Sequence, residues 1–470
     1  MRMSLYAKYS QRLRGFSLKD AHARSAALSA MSHLYDQGTF RSSVRHFTDL
    51  FKPRLVEIAI GDVDLSVRCA CLQLCSMVDA HELFEPEEVG QLKQVIFSNE
   101  PKARSSVAPF VSRALLREAE GLHEACGQVK GLNSSSVERA ARFKALARLL
   151  SLPQADAEAP RAVEEATSGR IACAIEAIMK ECEEFKDWQS PLKLLLKERS
   201  EDPQEDELHS TSHGLLALER EEEAALLEAL PRILGTALEQ QQNEAEGESF
   251  EGSATLPLLS AIPKLLARHR TDAPLVLSIL RLISEVPIST LQEPAAIDDR
   301  EQLLSELRGH FSRHGELEVL TAAVQGISRI SKADGKTGDS EHLVSLSDEV
   351  LQSLRERSEN RELETAALSE NDVHDLSTML KQLQALLAVS QVHQGMFDSS
   401  GETTSGWEIV HSIASRGRLG YDEESGVSAF ATEHFEGSLI VYLYADGPRC
   451  FEGAWKLPGV GCSRRTYERP

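Results

Sequence analysis

Three cysteines within seven positions, Cys69, Cys71 and Cys75 in "GDVDLSVRCACLQLC", form the densest group of potential metal or redox ligands in the sequence. Cysteines two apart lie on different faces of a helix, and only Cys71 and Cys75, four apart, share a face. Apolar residues fill the gaps, so the pattern indicates a buried helix that begins near Asp64 or Ser66. The other cysteines offer no second ligand pair at zinc-finger spacing. We therefore predict that these thiols pack in a core and bind no metal.

Two other short motifs resemble phosphate or metal sites without completing them. "DGKTGDS" ends like a phosphate-binding loop, but Ile330 stands where that loop needs a glycine. His209 and His213 in "HSTSH" are four apart, yet they lie in an acidic stretch with no third ligand nearby. We find no nucleophile elbow, zinc-protease motif, CxxC pair or dinucleotide fingerprint. The sequence therefore predicts a protein that is not an enzyme and holds no cofactor.

Charge is unevenly distributed along the 470 residues. The formal net charge is −22, yet residues 1–117 hold 16 Lys and Arg against 12 Asp and Glu, a net of +4. The remainder carries 35 against 61, a net of −26. This asymmetry predicts that any nucleic-acid contact lies in the N-terminal part. No apolar run is long enough to cross a bilayer, and the eight cysteines suit a reducing compartment, so we expect an intracellular protein without a membrane partner.

Three segments share one pattern, in which a polar turn leads to an arginine and then to a helix rich in small and aliphatic residues. The arginines are Arg24, Arg68 and Arg104, spaced 44 and 36 residues apart, close to the period of HEAT or armadillo repeats. Pro53 should kink or break the helix that contains it. Helical periodicity recurs at about residues 135–151, 160–188, 190–198, 212–241, 255–269, 273–286, 299–314, 316–331, 340–357 and 371–393. We therefore predict an all-α, HEAT/armadillo-type helical-repeat solenoid.

The predicted domains follow these shifts in composition. They are the repeats of residues 1–117, a linker at 118–134, a helical body at 135–394 with acidic loops near 199–212 and 242–254, and a tail at 395–470. The tail holds 10 of the chain's 25 aromatic residues and the one strand candidate, "GSLIVYLYADG". We expect this tail to be poorly ordered or atypical and to lie outside the repeats.

The segment "HFTDLFKPRLVEIAIGDVDLSVRCACLQLCSMVDAHELFEPEEVGQLKQVIFSNEPKARSSVAPFVS" resembles the stromalin conservative domain of the stromal antigen family, the HEAT-repeat subunit of cohesin. "RIACAIEAIMKECEEFKDWQSPLKLLL" and "ATLPLLSAIPKLLARHRTDAPLVLSILRLI" are similar to the variable helical body of fungal members. The resemblance covers about residues 16–393, and the family's N-terminal helical part has no counterpart before Met1.

This resemblance implies a non-catalytic, nuclear and chromosome-associated cohesin subunit that supports sister-chromatid cohesion. The implied partners are the kleisin and through it the SMC ring, double-stranded DNA or chromatin without sequence specificity, and cohesin loader and release factors. The alternative function is a HEAT-repeat adaptor or transport scaffold for protein cargo. That alternative predicts acidic concave surfaces and no basic N-terminal patch.

The resemblance also implies a groove for aromatic peptide motifs, with Tyr9 and Phe16 as candidate residues. The sequence departs from the family there, because Phe16 replaces the usual tryptophan and Leu50 stands at the position of an arginine that helps to bind such motifs in animal members. For the kleisin we predict a surface after residue 135. Trp188 and the leucines of "PLKLLL" are either its apolar anchors or core residues.

Basic residues of the N-terminal repeats are the candidates for contact with DNA phosphates. They are Arg41, Arg45, Lys52, Arg54, Lys102 and Arg104. A structural alternative is that Arg54, Arg68 and Arg104 pair with acidic turns of neighbouring repeats. For Arg68 we favour that role, and the residues that we assign to the repeat framework are Arg24, Asp62, Asp64 and Arg68.

Overall fold

A computed structural model describes residues 20–36, 41–127, 134–152, 162–197, 214–244, 255–333, 341–358 and 370–389. Within these ranges the regular structure is helical and no strand occurs, which confirms the predicted all-α class. The strand candidate and the tail that contains it lie outside the described residues. The chain divides into two compact units, one ending at Pro287 and the other beginning at Ile288. No described helix is long and apolar enough to cross a membrane.

The helices of the first unit pack on partners that are close in sequence. These helices are α1 (Ala21–Asp36), α2 (Arg41–Gly61), α3 (Leu65–Asp79), α4 (Pro86–Gln94), α5 (Pro101–Gly127), α6 (Ser134–Leu150), α7 (Ala162–Glu181), α8 (Gln189–Leu196), α9 (Arg220–Glu244), α10 (Leu256–Arg268) and α11 (Ala273–Glu285). Helix α3 contacts α1, α2 and α5, α5 contacts α4, α6 and α7, and α9 contacts α6, α7 and α11. This succession of local contacts is the property that defines a helical-repeat solenoid. Short 3-10 turns at Val95–Phe97 and Glu183–Lys186 follow α4 and α7.

The second unit has the same kind of packing around one central helix. Its helices are α12 (Ile288–Gln292), α13 (Ile297–Arg313), α14 (Leu317–Ala333), α15 (Glu341–Ser358) and α16 (Glu370–Val389). Helix α14 contacts the other four. Its apolar residues recur at helical spacing, and Leu320, Val324, Ile327 and Ile330 are fully buried. The second unit therefore takes most of its core from aliphatic side chains.

Helix α3 shows how the sequence sets the local structure. The Asp64 carboxylate accepts hydrogen bonds from the amides of Ser66, at 2.8 Å, and Val67, at 3.2 Å, and so caps the helix where we predicted its start. Cys71 and Cys75 are buried on one face, as the spacing predicts, whereas Cys69 is only half-buried. A hydrogen bond with Cys71 and burial raise the pKa of the Cys75 thiol. Among the described residues no three His, Cys, Asp or Glu side chains are placed to hold a metal.

Two boundaries differ from the prediction. Helix α2 continues through Pro53, so of the predicted kink or break at that residue the break does not occur. The proline costs α2 one backbone hydrogen bond, and the burial of Leu55 and Val56 in the following turn favours continuation of the helix. Helix α5 runs on to Gly127 and so occupies part of the predicted 118–134 linker.

Arginines of later helices cap the C-terminal ends of earlier ones. The last carbonyls of a helix have few or no partners within the helix, and a guanidinium there donates hydrogen bonds to them and compensates the negative end of the helix dipole. In α3 the carbonyl of Ser76 accepts a hydrogen bond from Arg113, and the carbonyl of Asp79 accepts one from Arg117 at 3.4 Å. The carbonyl of Leu195 in α8 accepts from Arg268 at 2.8 Å. The carbonyl of Leu291 accepts from Arg300 at 2.8 Å. We call these contacts the arginine caps.

Candidate partner and nucleic-acid surfaces

Arg24 and Asp62, two of the framework candidates, join the first two repeats. The Arg24 guanidinium donates two hydrogen bonds of 2.8 Å to the Asp62 carboxylate, and both side chains are largely buried. Asp62 also accepts from the Asp64 amide at 2.9 Å. Burial alone would raise the pKa of Asp62, but the hydrogen bonds from Arg24 and Asp64 outweigh it and lower that pKa. The turn between α2 and α3 is thereby tied to α1.

Among the described residues, neither Arg68 nor Arg104 forms an ion pair with an acidic turn. The Nε atom of half-buried Arg68 has no hydrogen-bond partner among the described residues. Arg104 donates to the carbonyl of Ser98 at 2.7 Å, at the end of the 3-10 turn before α5. This bond orders the entry into α5 and leaves the Arg104 side chain half-buried.

Lys52 is not placed for contact with a phosphate. Its side chain is only 9% exposed, and its ammonium lies 3.3 Å from Glu85, 3.6 Å from Glu88 and 3.9 Å from Asp49. Three carboxylates compensate the charge, and two of them come from the start of α4. The DNA-contact prediction for Lys52 is therefore replaced by a structural role, in which it joins α2 to α4.

The remaining basic candidates are exposed but scattered. Arg45 and Arg54 lie nine residues apart on α2, which places them on about opposite faces of that helix. Arg54 is paired with Glu57 at 2.6 Å, and Lys102 is exposed in the first turn of α5. The side chain of Arg41 lies outside the described residues. The candidates that the structure describes thus form separate cationic positions rather than one basic patch.

The peptide-groove candidates Tyr9 and Phe16 also lie outside the described residues. Leu50, at the position of the family's groove arginine, has 59% of its surface exposed. An exposed leucine here provides an apolar contact but no charge, so it cannot form the charged hydrogen bonds of a guanidinium.

The proposed kleisin anchors of the body are core residues. Trp188 is 5% exposed, and Leu192 and Leu195 are 3% and 1% exposed. Of the two interpretations of the "PLKLLL" segment, the structure supports core packing, because these side chains are already covered by the first unit itself.

A chain of charges that the sequence did not predict crosses the first unit. Lys144 and Glu222, both at least nine-tenths buried, form a direct ion pair between α6 and α9. Arg148 lies 3.5 Å from Glu222 and 3.6 Å from Glu118, and Lys93 lies 3.0 Å from Glu118. We call these five residues the charge chain. The only signal in the sequence is the four-residue spacing of Lys144 and Arg148, which places both on one face of α6.

The first turn of α13 presents an apolar and acidic surface in the second unit. Ile297 is 44% exposed, and the carboxylates of Asp298 and Glu301 are exposed beside it. Neither carboxylate has an ion-pair partner within the described ranges of the chain. We call these three residues the α13 patch, which would complement a partner that is both basic and apolar.

Comparison with known proteins identifies the family. A family model described as the HEAT-repeats domain of cohesin subunit SCC3/SA matches residues 175–416, just over half of the chain. The chain belongs to the SCC3/SA family. The match runs past residue 395, where we predicted the tail to begin, and it covers α8 to α16, including the α13 patch.

Three curated relatives of the SCC3/SA chain agree with this family. Sister-chromatid cohesion protein 3 of Arabidopsis thaliana is 24% identical over 84% of this chain and 34% of its own length. Cohesin subunit SA-3 of Rattus norvegicus is 23% identical over 81% of this chain and 29% of its own length. Cohesin subunit psc3 of Schizosaccharomyces pombe is 18% identical over 65% of this chain and 35% of its own length. The SCC3/SA chain spans about a third of the length of these relatives.

Proposed function

We propose that this SCC3/SA chain acts as a non-enzymatic cohesin subunit in the nucleus, where it binds the kleisin and chromatin and supports sister-chromatid cohesion. The observation that carries the proposal is the match of the SCC3/SA HEAT-repeat domain to residues 175–416. Its relatives are named as cohesin subunits or as a sister-chromatid cohesion protein. The SMC ring would be reached through the kleisin, and loader and release factors would be further partners. Helical-repeat scaffolds suit this role, since they present long surfaces to extended segments.

The kleisin surface that we propose is the α13 patch. A kleisin segment that carries basic residues beside a large apolar one would cover Ile297 and bring its cations close to Asp298 and Glu301. This position agrees with our prediction of a surface after residue 135, and it replaces the buried Trp188 as the apolar anchor. Exposed carboxylates at the rim contribute mainly to the rate of association, and the apolar contact contributes mainly to retention.

Co-purification of the full chain with the kleisin tests this assignment. The variant with Ile297→Asp, Asp298→Lys and Glu301→Lys should reduce capture at least tenfold, because it buries a charge and reverses two others. A matched control is Glu120→Lys with Glu124→Lys, two exposed positions of α5 that should leave capture unchanged. Unchanged capture by the α13 variant, or equal capture by residues 1–134 alone, would contradict the proposed surface. A full chain that captured cargo but no kleisin would favour the adaptor alternative.

For DNA we propose contact with phosphates, without base readout, through Arg45, Arg54 and Lys102. The support is their exposure and the positive charge of residues 1–117; Lys52 is excluded by its burial. Replacing the three residues by alanine should weaken binding about equally on unrelated sequences. It should also flatten the log–log salt dependence by roughly one unit per lost phosphate contact.

The control for the DNA test is a second triple alanine variant on exposed lysines of the helical body. Suitable positions are Lys180, Lys193 and Lys264. The control removes the same charge and should change DNA binding less. Equal losses in both variants would show that net charge, and not the N-terminal repeats, governs the interaction.

A further inference from the structure

An open cavity of about 710 Å³ lies in the first unit, where the end of α3 and the following turn face α4, α5 and α6. This volume lies within the roughly 300–1,000 Å³ that is typical of ligand pockets. Most of its wall is apolar and includes Phe84, Val89, Ala114, Leu149 and Leu152. Such a wall favours the aliphatic or aromatic part of an occupant over a small hydrated ion.

The buried carboxylate at the end of α3 is already used within the protein. Asp79 is 1% exposed, and its Oδ1 atom accepts from Arg117 at 2.6 Å. Its Oδ2 atom has almost no exposed surface and faces the Nε atom of Arg113 at 3.8 Å. Asp79 therefore holds two arginines of α5 in place and offers no contact to an occupant of the cavity.

The other charges on the wall leave one carboxylate without a counter-charge. Glu118 lies 3.0 Å from Lys93 and 3.6 Å from Arg148, so these three side chains compensate each other. Glu82, at the rim, is exposed and has no ion pair within the described part of the chain. The only uncompensated charge that the described residues bring to this cavity is therefore negative, and it favours a cationic group at the rim.

The backbone of Glu82 is strained without a visible structural return. Its φ is 54°, in the left-handed region, and its amide donates to the carbonyl of Asp79 at 2.8 Å. Glycine is the usual residue at such a position after a helix, and a residue with a Cβ atom is strained there. The Glu82 side chain makes no hydrogen bond or ion pair with the described residues that would offset this strain. Strained positions of this kind are concentrated at binding sites.

We propose that the cavity binds an arginine side chain from a basic segment of a partner protein. The methylene stem would lie against Phe84, Leu149 and Leu152, and the guanidinium would pair with Glu82 at the rim. A guanidinium is planar and less strongly hydrated than an ammonium, so it loses less beside an apolar wall, and its fork matches a carboxylate. An acidic side chain would be repelled by Glu82, and a neutral one would leave that carboxylate uncompensated.

The proposed arginine site is distinct from the surfaces assigned above. It belongs to the first unit, whereas the α13 patch belongs to the second, and its probe is a single amino-acid derivative rather than the kleisin or DNA. Failure of this proposal would therefore leave the proposed cohesin function untouched.

Two substitutions of Glu82 separate its charge from its backbone. Glu82→Gln keeps the size and the strain but removes the charge. Glu82→Gly removes both the charge and the strain. The matched control is Glu124→Gln, which removes the same charge from an exposed position of α5 outside the cavity.

Gly90 provides a way to fill the cavity. It lies in α4 on the cavity wall, and a Cβ atom added to it would meet nothing within 4 Å. Gly90→Phe therefore places a ring in the cavity without a clash at the backbone. Gly90→Ala is the matched control, since it gives α4 a better helix former and leaves the cavity open.

Titration of the full chain with N-acetyl-argininamide, followed by saturation-transfer NMR at low salt, tests the proposal. Wild type, Glu124→Gln and Gly90→Ala should bind this probe alike. Both Glu82 variants should bind it at least threefold more weakly, and Gly90→Phe at least tenfold more weakly. N-acetyl-citrullinamide, a neutral molecule of the same shape, should bind wild type and Glu82→Gln equally and at least threefold more weakly than the arginine probe binds wild type.

Three results of the titration would overturn the proposal. They are absence of binding to wild type, equal affinity of wild type for the arginine and citrulline probes, and equal losses in Glu82→Gln and Glu124→Gln. The last result would show that the net negative charge of the chain, and not this cavity, attracts the probe.

Stability measurements test the role of the strain. Glu82→Gly should raise the urea midpoint although it weakens binding, and Glu82→Gln should leave the midpoint unchanged. A lower midpoint in Glu82→Gly would show that the glutamate stabilises the turn, which would refute a binding role inferred from strain.

Crosslinking locates the probe independently of the variants. An argininamide whose acyl group carries a photoreactive diazirine should label wild-type peptides from residues 79–93, 114–118 or 148–152. Labelling confined to other peptides would refute the site, even if Gly90→Phe failed to fold.

Discussion

Removing the Lys144 ammonium should destabilise the first unit strongly. Lys144→Met keeps the aliphatic stem but leaves the Glu222 carboxylate, 6% exposed, with Arg148 at 3.5 Å as its remaining cation in the charge chain. The substitution also removes the donor to the carbonyl of Ala217, which Lys144 contacts at 2.5 Å. Breaking one partner of a buried pair costs about 3–5 kcal/mol, and we expect a loss near the lower end of this range because Arg148 still compensates part of the Glu222 charge.

This loss should be local and measurable by native-state hydrogen exchange of the full chain. Repeat arrays need not unfold in one step, so peptides of α6 and α9 report on the pair better than a single melting temperature does. At about 1.4 kcal/mol per tenfold, a loss of 3 kcal/mol or more raises their exchange rates by over a hundredfold. Peptides of the second unit should change little, since helical repeats transmit stability mainly to their neighbours.

Two variants make this reasoning refutable. Lys144→Met combined with Glu222→Leu removes both charges and should recover most of the loss, as replacement of buried pairs by apolar residues often does. Lys180→Met is the matched control, because Lys180 is 69% exposed and its pair with Glu176 should contribute under about 0.5 kcal/mol. A Lys144→Met variant as stable as the Lys180→Met control, or a double variant with the summed loss of both single ones, would refute the reasoning.

Three further predictions follow from the first unit. Because the pKa of Asp62 is lowered on folding, the stability that its carboxylate contributes is present above the unfolded pKa of about 3.9 and is lost as pH falls. Below pH 4 the urea midpoint should therefore fall less steeply with pH in Asp62→Asn than in wild type. An equal slope would contradict the Arg24 pairing. The buried thiols of Cys71 and Cys75 should react with Ellman's reagent only after denaturant is added. Cys71→Ser should lower the urea midpoint modestly, because it buries a polar group. Stoichiometric zinc in purified protein would overturn the interpretation of these cysteines as core residues. Burial raises the pKa of Tyr35 to about 12, so the stability that it contributes below pH 10 should be lost as pH rises toward 12. This loss should be smaller in Tyr35→Phe. An ultraviolet titration in which all tyrosines ionise near pH 10 would contradict the raised pKa.

Helix positions could be predicted from the sequence because they depend on nearby residues. The predicted helix at 273–286 is observed as Ala273–Glu285, where Asp272 caps the start and the apolar residues keep one period. The predicted helix at 316–331 is observed as Leu317–Ala333. Capping and periodicity involve residues within one or two turns, so the sequence itself carries this information.

The partners of charged residues could not be predicted in the same way. Lys52 lies near Arg45 and Arg54 in the sequence, yet Glu85, one of the carboxylates that compensate its charge, is 33 residues away and reaches it only through the packing of α4 on α2. Arg24 likewise meets Asp62 across 38 residues. A count of charges along the chain therefore overestimates the basic surface, because it cannot distinguish a compensated side chain from an exposed one.

The arginine caps all have the same polarity along the chain, because the arginine always follows the carbonyl that it caps. In each cap an arginine of a later helix donates to a carbonyl at the end of an earlier helix. During synthesis the earlier helix therefore lacks this hydrogen bond until the later arginine has been made. Damage to the array is unequal for the same reason. Loss of a downstream repeat strips the caps from the helix ends before it, whereas loss of an upstream repeat leaves arginines that water solvates at little cost. Local unfolding should therefore spread more readily from a lost repeat toward the N-terminal repeats before it than toward the C-terminal repeats after it.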